Sequence, residues 1–312
     1  MKVLFVDTVN PLLMQTLESA NILCDIAYSK SKEKISKIIH KYDGIVIRSK
    51  FEIDKRFIDI AKKLKFIARA GSGTENIDVE YAMTKNISCF NAAEGNRQAV
   101  AEHTLAMILA LINNINQANL EVKKGQWNRE SNRGTEISGK KIGIIGFGNN
   151  GNAFANLLKG FDVTILAYDK YKKEYDYKTD MATIYKKADF LSLHVPLTHE
   201  TKYLVNDNFI SKFHKPFYLI NTSRGKCVDT KALVKNLEDK KILGACLDVL
   251  EQEKISFENL AAKKNTKDLT YLLKAKNVIL TPHIAGWTKE SDIKIAEILA
   301  QKIINQSNSI KN

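Results

Sequence analysis

The stretch Lys140-Lys141-Ile142-Gly143-Ile144-Ile145-Gly146-Phe147-Gly148-Asn149-Asn150-Gly151, KKIGIIGFGNNG, decides how this chain reads. Its apolar run is that of a buried strand, and three glycines follow at the spacing G-x-G-x-x-G. Such glycines form either a bare strand-to-helix corner or a cradle for a dinucleotide. The surroundings favour the cradle. A strand, 142–145, comes directly before, and a helical run, 153–158, directly after. The next strand, VTILAYD, ends in Asp169, about 20 residues further on. In that reading Gly146 allows the turn, Gly148 lets backbone approach a pyrophosphate, and Gly151 permits close packing of helix on strand. The helix N-terminus offers N–H groups and the positive end of its dipole to the phosphates. Asp169 would accept hydrogen bonds from the adenosine ribose and repel a 2′-phosphate. NAD is therefore expected over NADP, a preference that Lys170, Lys172 and Lys173 soften.

Outward from this turn, short apolar runs alternate with helical patterns. Before it, strands are expected at 3–6, 25–28, 45–47, 66–68 and 88–90, with helices such as 31–40 and 56–63 between them. A long helical pattern over 97–124 carries Val100, Leu105, Ile108, Leu109 and Ile112 and ends at Gly125, a suitable C-cap. A second strand series follows at 141–145, 163–167, 190–194, 218–221, 245–248 and 278–280, and a last helix covers 291–304. Strands alternating with helices predict parallel sheets covered on both faces.

The bulk numbers agree. The chain has 312 residues, 44% hydrophobic and 27% charged, enough for two medium domains with sizeable cores. The net charge is +13, but the lysine pairs (62–63, 123–124, 172–173, 240–241, 263–264) are scattered, with no basic stripe interleaved with aromatics. That points to a basic surface and an anionic substrate rather than to nucleic acid. Cys24, Cys89, Cys227 and Cys246 are widely spaced without a C-x-x-C pair, as in a reduced, cytoplasmic chain. The opening MKVLFVDTVNP reads as a first strand and not a signal peptide. The longest apolar run, 105–112, is too short to span a bilayer. No H-E-x-x-H or similar spacing suggests a metal.

Further segments carry a resemblance. These are IRSK (47–50), RAGSGTENID (69–78), NRQAVAEHTLAMILAL (96–111), HVPLTHETKYLVN (194–206), INTSRGKCVD (220–229), GACLDVLEQEK (244–254) and TPHIAGWTKES (281–291). In this order, and together with GFGNNG, the chain resembles the D-isomer-specific 2-hydroxyacid dehydrogenases along nearly its whole length. Within that family it looks most like short forms of D-3-phosphoglycerate dehydrogenase.

The resemblance implies an α/β fold of two doubly wound domains. A flavodoxin-like substrate domain would cover 1–97 and be completed by the C-terminal helix 288–312, and a Rossmann NAD-binding domain would cover 98–287. It implies NAD as cofactor, a homodimer formed through the helix near 97–124, and roles for particular residues. His283 matches the proton donor and acceptor, Glu253 the carboxylate that bonds it, and Arg224 the arginine that holds the substrate's carboxylate and carbonyl. Cofactor contacts fall on Gly146, Gly148, Asn149, Asn150, Gly151, Asp169, His194, Val195, Pro196, Thr222, Ser223, Asp248, and the backbone of Ile284, Ala285 and Gly286, with Asp248 near the nicotinamide amide. Substrate contacts fall on Arg48, Gly71, Ser72, Gly73 and Asn96 besides Arg224, with Arg48 clamping a phosphate. Lys50, Arg69 and Arg97 are further cations at loop-like positions, and His103 is read as a packing or interface residue.

The residue types suit the chemistry. Oxidising a 2-hydroxy acid removes a proton from oxygen and a hydride from carbon. An imidazole can take up and return the proton, and a carboxylate behind it fixes the ring. A guanidinium stays charged, grips a planar carboxylate and polarises a carbonyl. The implied reaction is NAD-dependent oxidation of 3-phosphoglycerate to 3-phosphohydroxypyruvate. Alternatives are enzymes acting on erythronate 4-phosphate, glyoxylate or hydroxypyruvate, and an NAD-sensing corepressor-like binding protein. The chain departs from the family pattern at Asn149-Asn150, usually a basic and then an aliphatic residue, and at Lys254, usually proline. It also carries a long lysine-rich segment, 255–276, read as a loop at the active-site rim.

Overall fold

The computed structural model describes residues 1–253 and 266–311. The chain forms two compact units, Met1–Arg97 with the residues from Trp287 on, and Gln98–Glu253 with the residues leading up to Gly286.

The first unit runs β1 (Lys2–Phe5), α1 (Pro11–Ser19), β2 (Leu23–Ile26), α2 (Lys32–Ser36), β3 (Gly44–Ile47), α3 (Lys55–Ile60), β4 (Phe66–Arg69), α4 (Val79–Thr84) and β5 (Ser88–Phe90). Its strands are all parallel, in the order β2-β1-β3-β4-β5, the flavodoxin-like arrangement. The central strand β3, GIVI, is buried at all four positions, as a strand covered on both faces must be. Short polar side chains start the helices. Asn10, Asp54 and Asp78 accept the backbone N–H of Leu12, Phe57 and Tyr81 and so satisfy donors that a helix leaves open.

The second unit holds α5 (Arg97–Ile112), which begins at the boundary, and α6 (Ile115–Lys123), then β6 (Lys141–Ile145), α7 (Asn149–Leu158), β7 (Thr164–Tyr168) and α8 (Met181–Lys187). It continues through β8 (Phe190–Leu193), α9 (Asp207–Ser211), β9 (Phe217–Asn221), α10 (Thr230–Glu238), β10 (Ile242–Leu247), α11 (Lys267–Lys274) and β11 (Val278–Leu280). Six parallel strands lie in the order β11-β10-β9-β8-β6-β7. Beyond β7 the sheet gains one more position, a single parallel bridge between Ala167 and Lys178. Tyr177 O accepts the N–H of Ala167 at 2.9 Å, and Ala167 O accepts that of Thr179 at 2.8 Å. Counting that bridge as a reduced third strand gives the Rossmann order, with its reversal between β6 and β8. The sheet buries one apolar cluster on each face, around Leu191, Leu219 and Leu233 on one and Ile144, Phe154 and Phe190 on the other.

The last helix, α12 (Lys289–Lys311), belongs to the first unit. Its Ala296, Leu299, Ala300 and Ile303 pack with Leu13 and Leu17 of α1 and with Val3 and Phe5 of β1. Truncating Leu299 or Ile303 to alanine removes a fully buried side chain, a cost of about 2–5 kcal/mol.

Three expectations are corrected. The helical pattern over 97–124 is two helices, because Asn113 turns its side chain back to Leu109 O (3.0 Å) and Asn114 takes the left-handed conformation at φ +54°. Asparagine tolerates that conformation and competes with the helix for backbone partners. The strand placed at 25–28 lies at Leu23–Ile26, where pairing with β1 sets the register. The segment 255–276 is not all loop. Thr266 caps α11, which buries Leu269 and Leu272, while 254–265 lie outside the described residues.

Candidate active site

The three glycines of the turn differ in what surrounds them. A side chain on Gly146, at φ +90°, would start 2.4 Å from His194 O, and one on Gly151 would start 2.0 Å from Gly146 O. Gly148 is the opposite case, because a Cβ there would meet nothing within 4 Å. It immediately precedes α7, and its O accepts the N–H of Asn152 at 3.1 Å. The N–H groups of Asn149, Asn150 and Gly151 lie in the first helical turn, which has no intrahelical acceptor for them. Open space beside a helix N-terminus at a sheet's reversal point fits a pyrophosphate.

Asp169 directly follows β7 beside the turn. Its Oδ2 accepts the N–H of Phe147 at 2.8 Å, and its Oδ1 accepts those of Tyr171 at 2.9 Å and Lys172 at 3.0 Å. Burial, which pushes this carboxyl up, is outweighed by the backbone donors of Lys172, Phe147 and Tyr171, and the group sits below its ordinary value. The carboxylate therefore shapes the loop. Asn150 keeps a buried Oδ1 without a partner among the described residues. The His194 imidazole is turned inward, with Nε2 2.9 Å from Ser192 Oγ and the ring against Phe154. Burial pushes it down to about 4, so it is neutral at pH 7. The side of His194 that borders the turn is its carbonyl, over Gly146.

The chemical groups come from three adjacent strands. Asn221 of β9 pairs with Leu247 of β10, which pairs with Leu280 of β11. Arg224 and His283 each follow these paired ends by three residues and Glu253 by six, so pairing in register brings their segments out at one edge of the sheet. His283 Nδ1 lies 2.7 Å from Glu253 Oε2. A carboxylate only accepts, so Nδ1 carries the hydrogen of this pair. Glu253 is itself fixed, because its Oε1 accepts the N–H of Leu250.

His283 has φ +57°, a left-handed conformation that costs a non-glycine residue about 1–2 kcal/mol. Asp248 holds it there from both sides. Its backbone oxygen accepts the His283 N–H at 2.8 Å. Its carboxylate accepts Thr281 Oγ1–H at 2.6 Å, Ile284 N–H at 2.8 Å and Ala285 N–H at 2.9 Å. That side chain has no solvent exposure, and its bonds shape the histidine turn. The same bonds engage the amides of Ile284 and Ala285, which leaves their carbonyls as the backbone groups to offer a ligand.

Arg224 stands on an equally braced loop. Asn221 Nδ2 donates to Arg224 O at 3.0 Å, and Arg224 Nη1 donates to Ser223 O at 2.7 Å. A Cβ on Gly225 would start 2.0 Å from Leu250 O, so the arginine loop lies directly against the segment carrying Glu253. Glu251 ties the two together by accepting Tyr203 Oη–H (2.8 Å) and Thr230 Oγ1–H (2.6 Å). Ser223 Oγ donates to Asn221 Oδ1, and Thr222 Oγ1 lies 3.1 Å from Thr104 Oγ1. Both hydroxyls are thus engaged within the protein.

In the first unit, Ser72 Oγ donates to Asn96 Oδ1 at 2.6 Å, and Asn91 Nδ2 donates to Ser72 O, so two expected substrate residues far apart in sequence are joined. Gly71, at φ +144°, lies under the Arg69 guanidinium, whose Nη1 would be 1.6 Å from an added Cβ, and Gly73 follows in the same loop. Arg48 follows β3 beside the reversal between β1 and β3. Asp7 Oδ2 accepts the backbone N–H groups of Arg48, Ser49 and Lys50. Sequence reasoning missed the bracing residues Asn221, Glu251 and Tyr203. It also gave His103 no polar role, although its Nε2 lies 3.0 Å from Thr281 Oγ1 and 3.6 Å from Asp248 Oδ1. A histidine on a largely apolar helix was the available signal. Among the described residues no cluster of side chains is arranged to hold a metal ion, and no helix is long and apolar enough to cross a membrane.

A cradle at the reversal point of a Rossmann sheet, with a histidine–carboxylate pair and a braced arginine at the same edge, defines an NAD-dependent dehydrogenase class. Residues 105–285 match the family described as "D-isomer specific 2-hydroxyacid dehydrogenase, NAD binding domain", and the chain belongs to that family. It is 36% identical over 278 residues to the hydroxypyruvate reductase of Thermotoga maritima, covering 88% of each chain. It is 34% identical over 316 residues to the D-3-phosphoglycerate dehydrogenase of Archaeoglobus fulgidus, covering 99% of this chain and 58% of that one. Among solved structures it is similar to the D-lactate dehydrogenase of Aquifex aeolicus complexed with NAD and lactic acid, with TM-score 0.84 and 29% identity over 99% of this chain and 96% of the other.

Proposed function

We propose that this enzyme oxidises 3-phosphoglycerate to 3-phosphohydroxypyruvate, the entry to serine biosynthesis, as a homodimer in a reducing cytoplasm. The observation that carries the chemistry is the His283–Glu253 pair at 2.7 Å on a turn held by Asp248. NAD, held at the turn of Gly146, Gly148 and Gly151, would supply the hydride acceptor, and the protein supplies position and field. His283 Nε2 takes the hydroxyl proton, while Glu253 keeps the ring oriented and faces the charge that appears on it. Arg224 grips the substrate carboxylate with its planar fork and draws electron density from the developing carbonyl. The substrate assignment is supported by Arg48 at the reversal point of the first sheet, by the +13 net charge and by the D-3-phosphoglycerate dehydrogenases among the relatives. Dimerisation is supported by α6, which buries none of its residues and exposes Ile115, Leu120 and Val122, with Trp127 just beyond it.

The relative in Thermotoga maritima makes hydroxypyruvate reduction the second reading. Both are tested by following NADH absorbance with 3-phosphoglycerate and NAD, and with phosphohydroxypyruvate, hydroxypyruvate or glyoxylate and NADH. Preference for the phosphorylated pair supports the first reading. Turnover of the unphosphorylated acids alone refutes it.

A further inference from the structure

We infer that Trp287 is a positioning residue that selects for a phosphorylated substrate by holding the Arg48 guanidinium flat and ready; this rests on the reading that Arg48 meets the phosphate. The Arg48 guanidinium carbon lies over the Trp287 ring, 4.3 Å from its centroid, a cation–π contact. Trp287 is 66% exposed, so its indole is not part of a packed core. The backbone on both sides is fixed. Arg48 N–H is bound by Asp7, its carbonyl accepts Asn76 Nδ2–H at 3.2 Å, and its Nη1 reaches Thr8 O at 3.5 Å. Trp287 directly precedes Thr288, whose Oγ1 accepts Ser291 N–H while its own N–H donates to Ser291 Oγ, a reciprocal cap at the start of α12.

Among the described residues the Arg48 guanidinium has no carboxylate within ion-pair distance, and Thr8 O takes one of its five N–H donors. Asp7, beside it, accepts three backbone amides through Oδ2, those of Arg48, Ser49 and Lys50. Lys50, the other cation of this loop, is turned away onto the carbonyls of Val6 and Tyr28. One arginine therefore faces an oxyanion with its donors in hand. Because the aromatic face covers one side, its side-chain freedom is largely lost before substrate arrives.

The test compares hydroxypyruvate with its 3-phosphate, which differ only in the group Arg48 is to meet. Trp287→Ala should raise KM for the phosphorylated acid about three- to tenfold more than KM for hydroxypyruvate, and Trp287→Tyr should restore most of that difference. The two variants are matched by thermal melting, so that a loss of fold is recognised. In a Trp127→Phe background, which leaves Trp287 as the single tryptophan, 3-phosphoglycerate should alter the emission, whereas lactate at the same concentration should not. Equal changes in KM for the two acids, or a tyrosine variant no better than alanine, overturn the role of Trp287 while leaving the substrate reading intact. Wild-type enzyme that does not turn over the phosphorylated acid overturns both.

Discussion

Replacing Gly148 and Gly151 separately should split folding from cofactor binding. An alanine at Gly151 puts a methyl 2.0 Å from Gly146 O, a backbone atom that cannot turn aside. Overpacking of that kind costs about 1–3 kcal/mol, and at about 2–4 °C per kcal/mol for a domain of this size the melting temperature should fall by several degrees. An alanine at Gly148 meets nothing within 4 Å, and the residue has φ −78°, so no left-handed strain is added. The cost to the unliganded protein is limited to a poorer N-cap, about 1 kcal/mol. The methyl does occupy the space through which a pyrophosphate reaches the α7 amides. Losing one charge-assisted hydrogen bond is worth about 1.5–3 kcal/mol, which weakens binding about ten- to a hundredfold. Melting without ligand and NADH fluorescence titration measure the two quantities independently. A Gly148→Ala protein that melts like wild type and binds NADH with unchanged Kd would show that the open side of the turn does not hold the dinucleotide.

The other variants act on the chemistry and on stability. His283→Gln should lower kcat about 10²–10⁴-fold with a smaller change in KM, as expected for loss of the proton-exchanging group, and steady-state kinetics measures this. Arg224→Lys keeps the charge but loses the planar fork, so kcat/KM should fall about tenfold or more with NADH affinity preserved. Asp248→Asn sets an amide hydrogen among the donors of Thr281, Ile284 and Ala285, leaving a buried mismatch of about 1–3 kcal/mol; kcat should drop well beyond any change in Kd for NADH. His194 is held neutral by burial, down to about 4 from an ordinary 6.5. The unfolded chain therefore binds this proton as pH falls through 6.5 and the folded chain only near 4, so stability declines across that window, by about 3 kcal/mol at its end. Urea unfolding at pH 7, 5.5 and 4.5 should show His194→Asn losing less than wild type, and parallel losses would exclude the buried imidazole as their source.

Much of the fold was readable because parallel strands buried on both faces must be continuously apolar. GIVI and KIGII could hardly sit elsewhere, and the alternation with helices followed. The glycine turn was readable because few residues tolerate contacts such as that of Gly151 with Gly146 O. What escaped depends on partners distant in sequence. Asn113-Asn114 breaks a helix whose apolar pattern continues, because a side-chain contact to Leu109 O outweighs periodicity. In the site, the residues that act by chemical type stood out, while those that act by holding them did not. Glu251 looks like one more acidic residue in EQEK until the fold brings Tyr203 and Thr230 to it. The Asp248 carboxylate, likewise, is in the sequence one acid after a strand, but in the fold it is sealed by the turn it organises.

The arginine and the histidine–carboxylate pair all emerge from one run of three neighbouring strands, between residues 217 and 283, whereas Arg48, Ser72 and Asn96 belong to the other unit. With the proposed roles, reaction and selectivity are encoded in separable lengths of gene. Recombination that exchanges the early segment for a relative's can change which acid is accepted while inheriting the redox machinery whole, a route by which one ancestral catalyst can diversify without passing through an inactive intermediate.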